Sequence, residues 1–205
     1  MRTHLAKGSR VIALGGFLGA IAALQWPLPA SAQQLVIKPV AEKRIRELPA
    51  GPLYWRVERF PALAEAQAAM GPISLAADVA GKAWLFTLTG PGGATPGAIK
   101  VAEIGPVPPF AAPEYLLRIN HAYGVPGAKT PVHSHPGSEA FHVLAGRLGQ
   151  RTQRGVNYVD AGQSMSGQGA DMPMEVFSGG SADLDQLVMF VVDATRPFSS
   201  PAKFE

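Results

Sequence analysis

The sequence predicts an all-β fold, a sandwich or a small barrel, and three observations support this. From Tyr115 onward, short runs of alternating apolar residues recur about every ten residues: "YLLRINHA", "TPVHSH", "AFHVLAGRL", "GVNYVD", "MPMEVFS" and "LDQLVMFVVDA". Turn-forming residues separate nearly all of them, as in "GVPG" and "SGGSAD". The 23 glycines and 19 prolines, in a chain that is 47% apolar, are typical of many short strands rather than of disorder.

The chain before residue 98 is predicted to contain further strands and one short helix. "PLYWRVERF" alternates as a strand does, and "GKAWLFTLTG" and "GAIKVAEIG" are apolar runs joined by the loop "PGGATPG". "PALAEAQAAMG" begins with Pro61 and ends at Gly71, as short helices often do. Residues 33–51 are charged and proline-containing, which indicates a solvated lead-in with a short helix at Ala41 to Leu48. The proline-rich "VPPFAAPE" is the one plausible internal boundary.

The first 32 residues are predicted to be a cleavable secretory signal. Arg2, Lys7 and Arg10 precede an apolar run of 14 residues, which is shorter than the roughly 18 that a membrane-spanning helix needs. Ala30-Ser31-Ala32 has the small-x-small pattern of a cleavage site, so the mature chain would start near Gln33. We therefore expect a periplasmic or secreted protein with no stable membrane anchor after cleavage.

Charge and cysteine content argue against a nucleic-acid partner, disulfide bonds and a lipid anchor on cysteine. Three of the 18 basic residues lie in the predicted signal, which leaves 15 basic against 15 acidic residues in the mature chain. No basic cluster with interleaved aromatic residues is present, so the sequence predicts no nucleic-acid partner. The chain has no cysteine, which excludes disulfides and a lipid-modified cysteine anchor.

The stretch "GAKTPVHSHPGSEAFHVLAG", residues 127–146, contains residue types that bind metals. On a strand, residues two apart point to the same face, so His133 and His135 would project together. Pro136-Gly137 predicts a turn into an antiparallel strand that would bring the Glu139 carboxylate back beside the histidines. Two imidazoles and one carboxylate form a suitable site for a divalent transition metal. Gly127 and Gly146 are expected where the backbone needs positive φ.

This stretch resembles the first conserved motif of the cupins, G-x5-H-x-H-x(3,4)-E-x6-G. Gly127, His133, His135, Glu139 and Gly146 fit it at every position. The resemblance implies a double-stranded β-helix barrel over residues 98–195. We expect residues 33–97 to form an N-terminal extension of strands and a short helix that packs on the barrel, and residues 196–205 to form a C-terminal tail. The resemblance also implies that these side chains point into the barrel and bind Fe, Mn, Zn, Ni or Cu.

The second cupin motif, G-x5-P-x-G-x2-H-x3-N, is degenerate in this chain. Gly162 serves as its first glycine, and one extra residue is needed before the remaining positions align. Met174 then stands where the family has its fourth ligand, a histidine, and Ser178 stands where it has the asparagine.

Three consequences of this departure remain open. His133, His135 and Glu139 alone would form a 2-His-1-carboxylate set, which suits Fe(II) and oxygen chemistry. A thioether ligand from Met174 would favour copper. If the three residues bind too weakly, the barrel holds no metal and binds a ligand instead. Asp171 or Gln168 in the preceding loop is a further candidate oxygen ligand.

Two other histidines are candidates for indirect roles. His142 follows Glu139 by three residues and should face away from the metal side, which predicts a packed or interface histidine. His121 ends the strand "YLLRINHA" and is predicted to be a surface residue, with an acid/base or metal-supporting role as the alternative.

The sequence therefore predicts an exported, metal-binding cupin. Its activity would be that of an oxygenase or isomerase acting on a small organic molecule, with catalytic residues unknown. The alternative is a non-catalytic module that binds or senses a small molecule or a metal ion. The resemblance also implies a homodimer, because cupins commonly pair their edge strands.

Overall fold

The computed structural model describes residues 33–205, so the predicted signal lies outside the described residues. Fourteen strands and one helix follow one another along these residues: β1 (Val36–Ile45), β2 (Tyr54–Phe60), α1 (Leu63–Ala68), β3 (Ser74–Val79), β4 (Lys82–Thr89), β5 (Ile99–Ile104), β6 (Tyr115–Gly124), β7 (His133–Ser134), β8 (Gly137–Ala145), β9 (Arg147–Thr152), β10 (Gly155–Asp160), β11 (Ser164–Ser166), β12 (Glu175–Ser178), β13 (Leu184–Asp193) and β14 (Ser200–Pro201). The predicted all-β class is confirmed. In residues 33–205, no helix has the length and apolarity needed to cross a membrane.

The barrel has two walls that enclose a shared apolar interior. One wall is a five-stranded antiparallel sheet with the order β1-β6-β13-β8-β11. The other wall contains a three-stranded sheet, β10-β9-β12, and the two-stranded pair β14-β7. Backbone hydrogen bonds from Thr130 to Val176 and from His133 to Met174 connect the two. Because side chains alternate along each strand, Phe141, Val188 and others point inward and form the interior cluster.

The predicted turn into Glu139 is wrong in one respect: β7 and β8 do not form a hairpin. β7 pairs with β14, whereas β8 pairs with β13 and β11 in the opposite wall. Gly137 makes this crossing possible, since a Cβ there would collide with the backbone of Val191 and Val192. Glu139 therefore lines the same cavity as the histidines from the facing wall, and no turn joins them.

The N-terminal strands form a third layer on the outer face of the five-stranded sheet. β3, β4, β2 and β5 make a four-stranded antiparallel sheet, in which β3 and β4 are joined at Ala80-Gly81 with both φ values positive. Trp55, Trp84 and Phe86 on this sheet pack in one cluster with outward side chains of the barrel, such as Leu117 and Met189. Helix α1 covers the other face around Leu85.

The structure divides the chain differently from the predicted boundaries. β1 lies where a lead-in with a helix is expected, and it pairs along its whole length with β6 as part of the barrel wall. β5, placed in the barrel by the prediction, pairs with β2 in the added sheet. The predicted tail includes β14, which pairs with β7. These differences arise because pairing joins segments far apart in sequence.

Candidate functional site

The barrel interior contains a cavity of about 330 Å³, which both motif histidines and Glu139 line. The rest of its lining is mostly apolar, with Phe141, Val188 and Phe190 among the contributors. Such a cavity is of the size and polarity that proteins use for small organic ligands.

Backbone carbonyls hold both histidine rings in a fixed tautomer. The Nδ1–H of His133 donates to the Pro131 carbonyl at 2.8 Å, and that of His135 donates to the Phe198 carbonyl at 2.7 Å. The two ring centroids are 4.9 Å apart. Since Nδ1 carries the proton in each ring, the lone pair of each Nε2 is free to bind an ion. Burial lowers the pKa of His135 to about 4, which keeps its imidazole neutral.

Glu139 is 2% exposed and bonded to a residue that sequence reasoning missed. Its Oε1 accepts a hydrogen bond of 2.8 Å from Nε2 of Gln150, which is completely buried. Burial raises the pKa of Glu139 to about 8, although hydrogen bonds from Gln168 and Gln150 partly oppose this. Gln150 follows the inward Leu148 by two residues on β9, so strand alternation contained the signal for it.

Met174 lies near this group but is not among the residues lining the cavity. Its backbone exchanges two hydrogen bonds with His133, at 2.8 and 2.9 Å, which places it beside the first histidine as the motif alignment expects. Its sulfur is 3.6 Å from Gln150 Nε2. The amide of Gln150 thus stands between the thioether and the Glu139 carboxyl. Whether Met174 binds a metal remains a prediction.

The described residues contain no group of three or more His, Asp or Glu side chains arranged closely enough to hold an ion. His133 and His135 are adjacent, and Glu139 lines the same cavity from the facing wall. Asp171, a candidate substitute ligand, points away and forms an exposed ion pair with Arg196 at 2.7 Å. The Gln168 side chain donates from Nε2 to Gln150 Oε1 at 3.4 Å, and its backbone carbonyl accepts from the Glu139 N–H at 3.4 Å.

The other two histidines of residues 33–205 lie on the outer face of the five-stranded sheet. His142 donates to or accepts from the Ser164 hydroxyl at 2.8 Å, and its ring meets Trp84 of the added sheet. It is a packed histidine, as its position in β8 predicts. His121 pairs with Asp185 at 2.6 Å, away from the cavity that His133 and His135 line.

The C-terminal segment completes the site, contrary to its prediction as a tail. The Phe198 ring lies 4.8 Å from the His135 ring and 5.0 Å from the Phe190 ring, centroid to centroid. The Arg118 guanidinium lies over the Phe198 ring, with its Cζ 4.1 Å from the ring centroid. The same residue supplies the carbonyl that orients His135.

We expect Phe198→Ala to lower the free energy of unfolding by about 1 to 3 kcal/mol, since a partly buried aromatic ring is lost. Chemical denaturation of the mature chain measures this. Phe204→Ala is the matched control, because that ring contacts Arg151 on the far wall and not His135. Equal stability of Phe198→Ala and wild type would contradict a structural role for the segment.

The motif histidines and Glu139 line one cavity, and the two motif glycines lie at turns. His133 and His135 come from the wall containing β7, Glu139 from β8, and Gly127 and Gly146 both have positive φ, at 81° and 72°. Two antiparallel walls that exchange strands around this motif form a double-stranded β-helix. The described residues have the cupin fold.

Solved structures that are similar to this chain align with part of its length. The polyketide cyclase RemF from Streptomyces resistomycificus is 19% identical, with a TM-score of 0.36, over 43% of this chain and 62% of that one. A cupin-like protein from Thermotoga maritima is 15% identical, with a TM-score of 0.38, over 43% and 65%. An oxalate oxidase in complex with glycolate is 20% identical, with a TM-score of 0.35, over 42% and 45%.

These similarities do not extend to activity. The alignments cover less than two thirds of each neighbour's own length. No protein-family model matches the sequence, and neither does any curated protein. The chemistry of this chain depends on the residues of its own cavity, because one fold supports many functions.

Proposed function

We propose that this cupin is a metal-dependent enzyme that acts, as an oxygenase or isomerase, on a small organic molecule. The observation that carries the proposal is the fixed tautomer of His133 and His135. The Nδ1–H of each ring donates to a backbone carbonyl, so that in the neutral ring Nε2 carries the free lone pair beside an apolar cavity. This second-sphere arrangement is the one that metal-binding histidines almost always have.

The chemistry of the three donor side chains suits a divalent transition metal. His133 and His135 would hold the ion through Nε2. Glu139 would supply the carboxylate, since it is the acidic residue among the described residues that line this cavity. Imidazole and carboxylate together suit Fe, Mn, Zn, Ni or Cu, so the donors do not select one metal. A bound ion would supply a Lewis acid or an oxygen-activating centre. The apolar walls would exclude water and orient the substrate.

We expect the mature protein, purified without a histidine tag, to contain about one equivalent of a single transition metal, and we expect His135→Ala to lose it. Elemental analysis by mass spectrometry measures both. His121→Ala is the matched control, because that histidine lies on the outer face of the five-stranded sheet, where it is paired with Asp185. It should keep the metal of the wild type.

Two results would contradict the metal site. One is substoichiometric metal in the wild type that reconstitution with Fe(II), Mn(II), Zn(II), Ni(II) and Cu(II) does not raise. The other is equal metal content in the wild type and His135→Ala. Either would leave a barrel that kept the motif without the ion.

A non-catalytic binding module is the second candidate, and the spacing of the donors favours it. No three acidic or histidine side chains of the described part of the chain converge, whereas the apolar cavity is fully formed. Aerobic turnover with catechols, flavonols and β-diketones separates the two candidates. Tight binding of such compounds without product formation would favour the binding module over the enzyme.

The proposal includes export of the mature chain to the periplasm or the medium, for which the N-terminal charge and apolar pattern is the support. It also includes a homodimer, supported by the exposed outer edge of β1, which pairs with β6 alone in its sheet. Fractionation of cells and light scattering of the purified protein test these two parts.

A further inference from the structure

Two buried amides in the cavity have unsatisfied hydrogen-bonding groups. Asn120 is 3% exposed and Gln186 is completely buried, and both line the cavity. The Asn120 Oδ1 and both amide atoms of Gln186 have no hydrogen-bond partner among residues 33–205. Buried polar atoms of folded proteins are rarely left unpaired, because each one costs about 1 to 3 kcal/mol of desolvation. Both amides face the cavity, so the groups that pair with them belong to molecules bound there.

The sheet register places the two amides close together. Asn120 on β6 is opposite Val188 on β13, and Gln186 on β13 is opposite Ala122 on β6. They are therefore diagonal neighbours on the inward face, within reach of one ligand group. Along β13, Gln186 is four residues from Phe190, which is opposite Glu139. This corresponds to a strand length on the order of 13 Å, so the amides and the motif residues flank different ends of one cavity.

The charge of the lining determines which ligand group the amides can bind. No lysine or arginine is among the described residues that line the cavity, so a carboxylate at the amide end would have no cationic partner. Gln186 offers both a donor and an acceptor, and Asn120 Oδ1 offers an acceptor. The complementary group is neutral and carries a carbonyl beside an N–H, as a primary carboxamide does. Apolar side chains surround the remainder of the space.

We propose that Asn120 and Gln186 bind the carboxamide-like group of a small, otherwise apolar ligand and direct the rest of it toward His133, His135 and Glu139. This inference rests on the proposed function, since it names the substrate class of the same cavity. The ligand carbonyl accepts from Gln186 Nε2, and the ligand N–H groups donate to Gln186 Oε1 and Asn120 Oδ1. Both residues are positioning residues.

The test compares three probes of similar size in isothermal titration with the mature chain: benzamide, acetophenone and benzoate. Benzamide has the donor and the acceptor, acetophenone has only the acceptor, and benzoate adds a charge. We expect benzamide to bind at least tenfold more tightly than either, since each lost hydrogen bond to a buried amide is worth about one factor of ten. Equal affinities for benzamide and acetophenone, or no binding of benzamide, would overturn the proposal.

Gln186→Met keeps the length of the side chain and removes its hydrogen-bonding groups. We expect this change to lower the affinity for benzamide at least tenfold and the affinity for acetophenone much less. Its melting temperature should equal or exceed that of the wild type, because an unpaired amide is removed from the interior. Gln163→Met, at an exposed glutamine, is the matched control and should change neither affinity. A Gln186→Met protein that is less stable than the wild type would show that the amide serves the fold, and would overturn the proposal.

Metal analysis of the same samples separates this inference from the proposed function. Gln186→Met should hold as much metal as the wild type, because its side chain is remote from the histidines in the register. Selective benzamide binding by a protein that never takes up metal would support the amide site and contradict the metal-dependent enzyme. Full metal content without selectivity for benzamide would support the metal site and contradict the amide site.

Discussion

Replacing Trp84 with alanine is expected to lower the free energy of unfolding by about 3 to 5 kcal/mol, as large-to-small changes of buried aromatic residues do. Trp84 is 2% exposed, and its Nε1–H donates to the Val79 carbonyl at 3.2 Å. Its ring stacks against Phe86 and meets the edge of His142 on the barrel. The residue therefore joins the added sheet to the barrel, and its loss opens a cavity between the two layers.

Urea denaturation followed by both tryptophan fluorescence and far-ultraviolet circular dichroism measures this effect. We expect wild type and variant to unfold in a single transition, because one apolar cluster spans both layers. Ile99→Ala is the matched control in the same sheet: this side chain is 64% exposed, so the change should cost well under about 1 kcal/mol. Two separate transitions, or a loss for Trp84→Ala no larger than the control, would contradict a shared core.

Gly137→Ala is expected to destabilise the protein by about 3 kcal/mol, the upper part of the usual range for overpacking. Its Cβ would meet the Val191 carbonyl oxygen and the Val192 Cα, and neither backbone atom can rotate away as a side-chain end can. The Phe110 ring lies 3.0 Å from the same point. Because Gly137 begins β8 two residues before Glu139, a shift there also moves the carboxyl.

Thermal and urea unfolding measure the loss, and metal content after reconstitution measures the displacement of Glu139. Gly71→Ala is the matched control: a Cβ there meets only the Ser74 hydroxyl oxygen, at an ordinary 3.7 Å. That variant should stay within about 0.5 kcal/mol of the wild type. A Gly137→Ala protein as stable as this control would contradict the close contact between Gly137 and the β13 backbone.

Local pattern accounts for much of what the sequence predicts correctly. The strands, the helix near Ala66 and the turns at Gly127 and Gly146 follow from alternation and from residues with restricted φ. The inward direction of Glu139 and the outward packing of His142 follow from the same alternation. These features depend on neighbours in the chain, so the chain order reveals them.

Pairing between distant segments accounts for what the sequence could not predict. The hairpin expected between His135 and Glu139 is absent because β13 pairs with β8, and β14 with β7. The carbonyl that orients His135 comes from Phe198, 63 positions along the chain. Gln150 and Gln186 carry no motif, and their burial in the interior makes them visible as site residues.

The sequence by itself determined the all-β class, the identity of the two histidines and the glutamate, and the face on which each lies. These properties follow from side-chain period and residue chemistry, which act within a few positions. Only the tertiary structure decided which wall carries each residue, which carbonyls set the histidine tautomers and where the two unpaired amides stand. These properties arise when sheets close around a shared interior, and burial there fixes hydrogen-bond partners that no local pattern records.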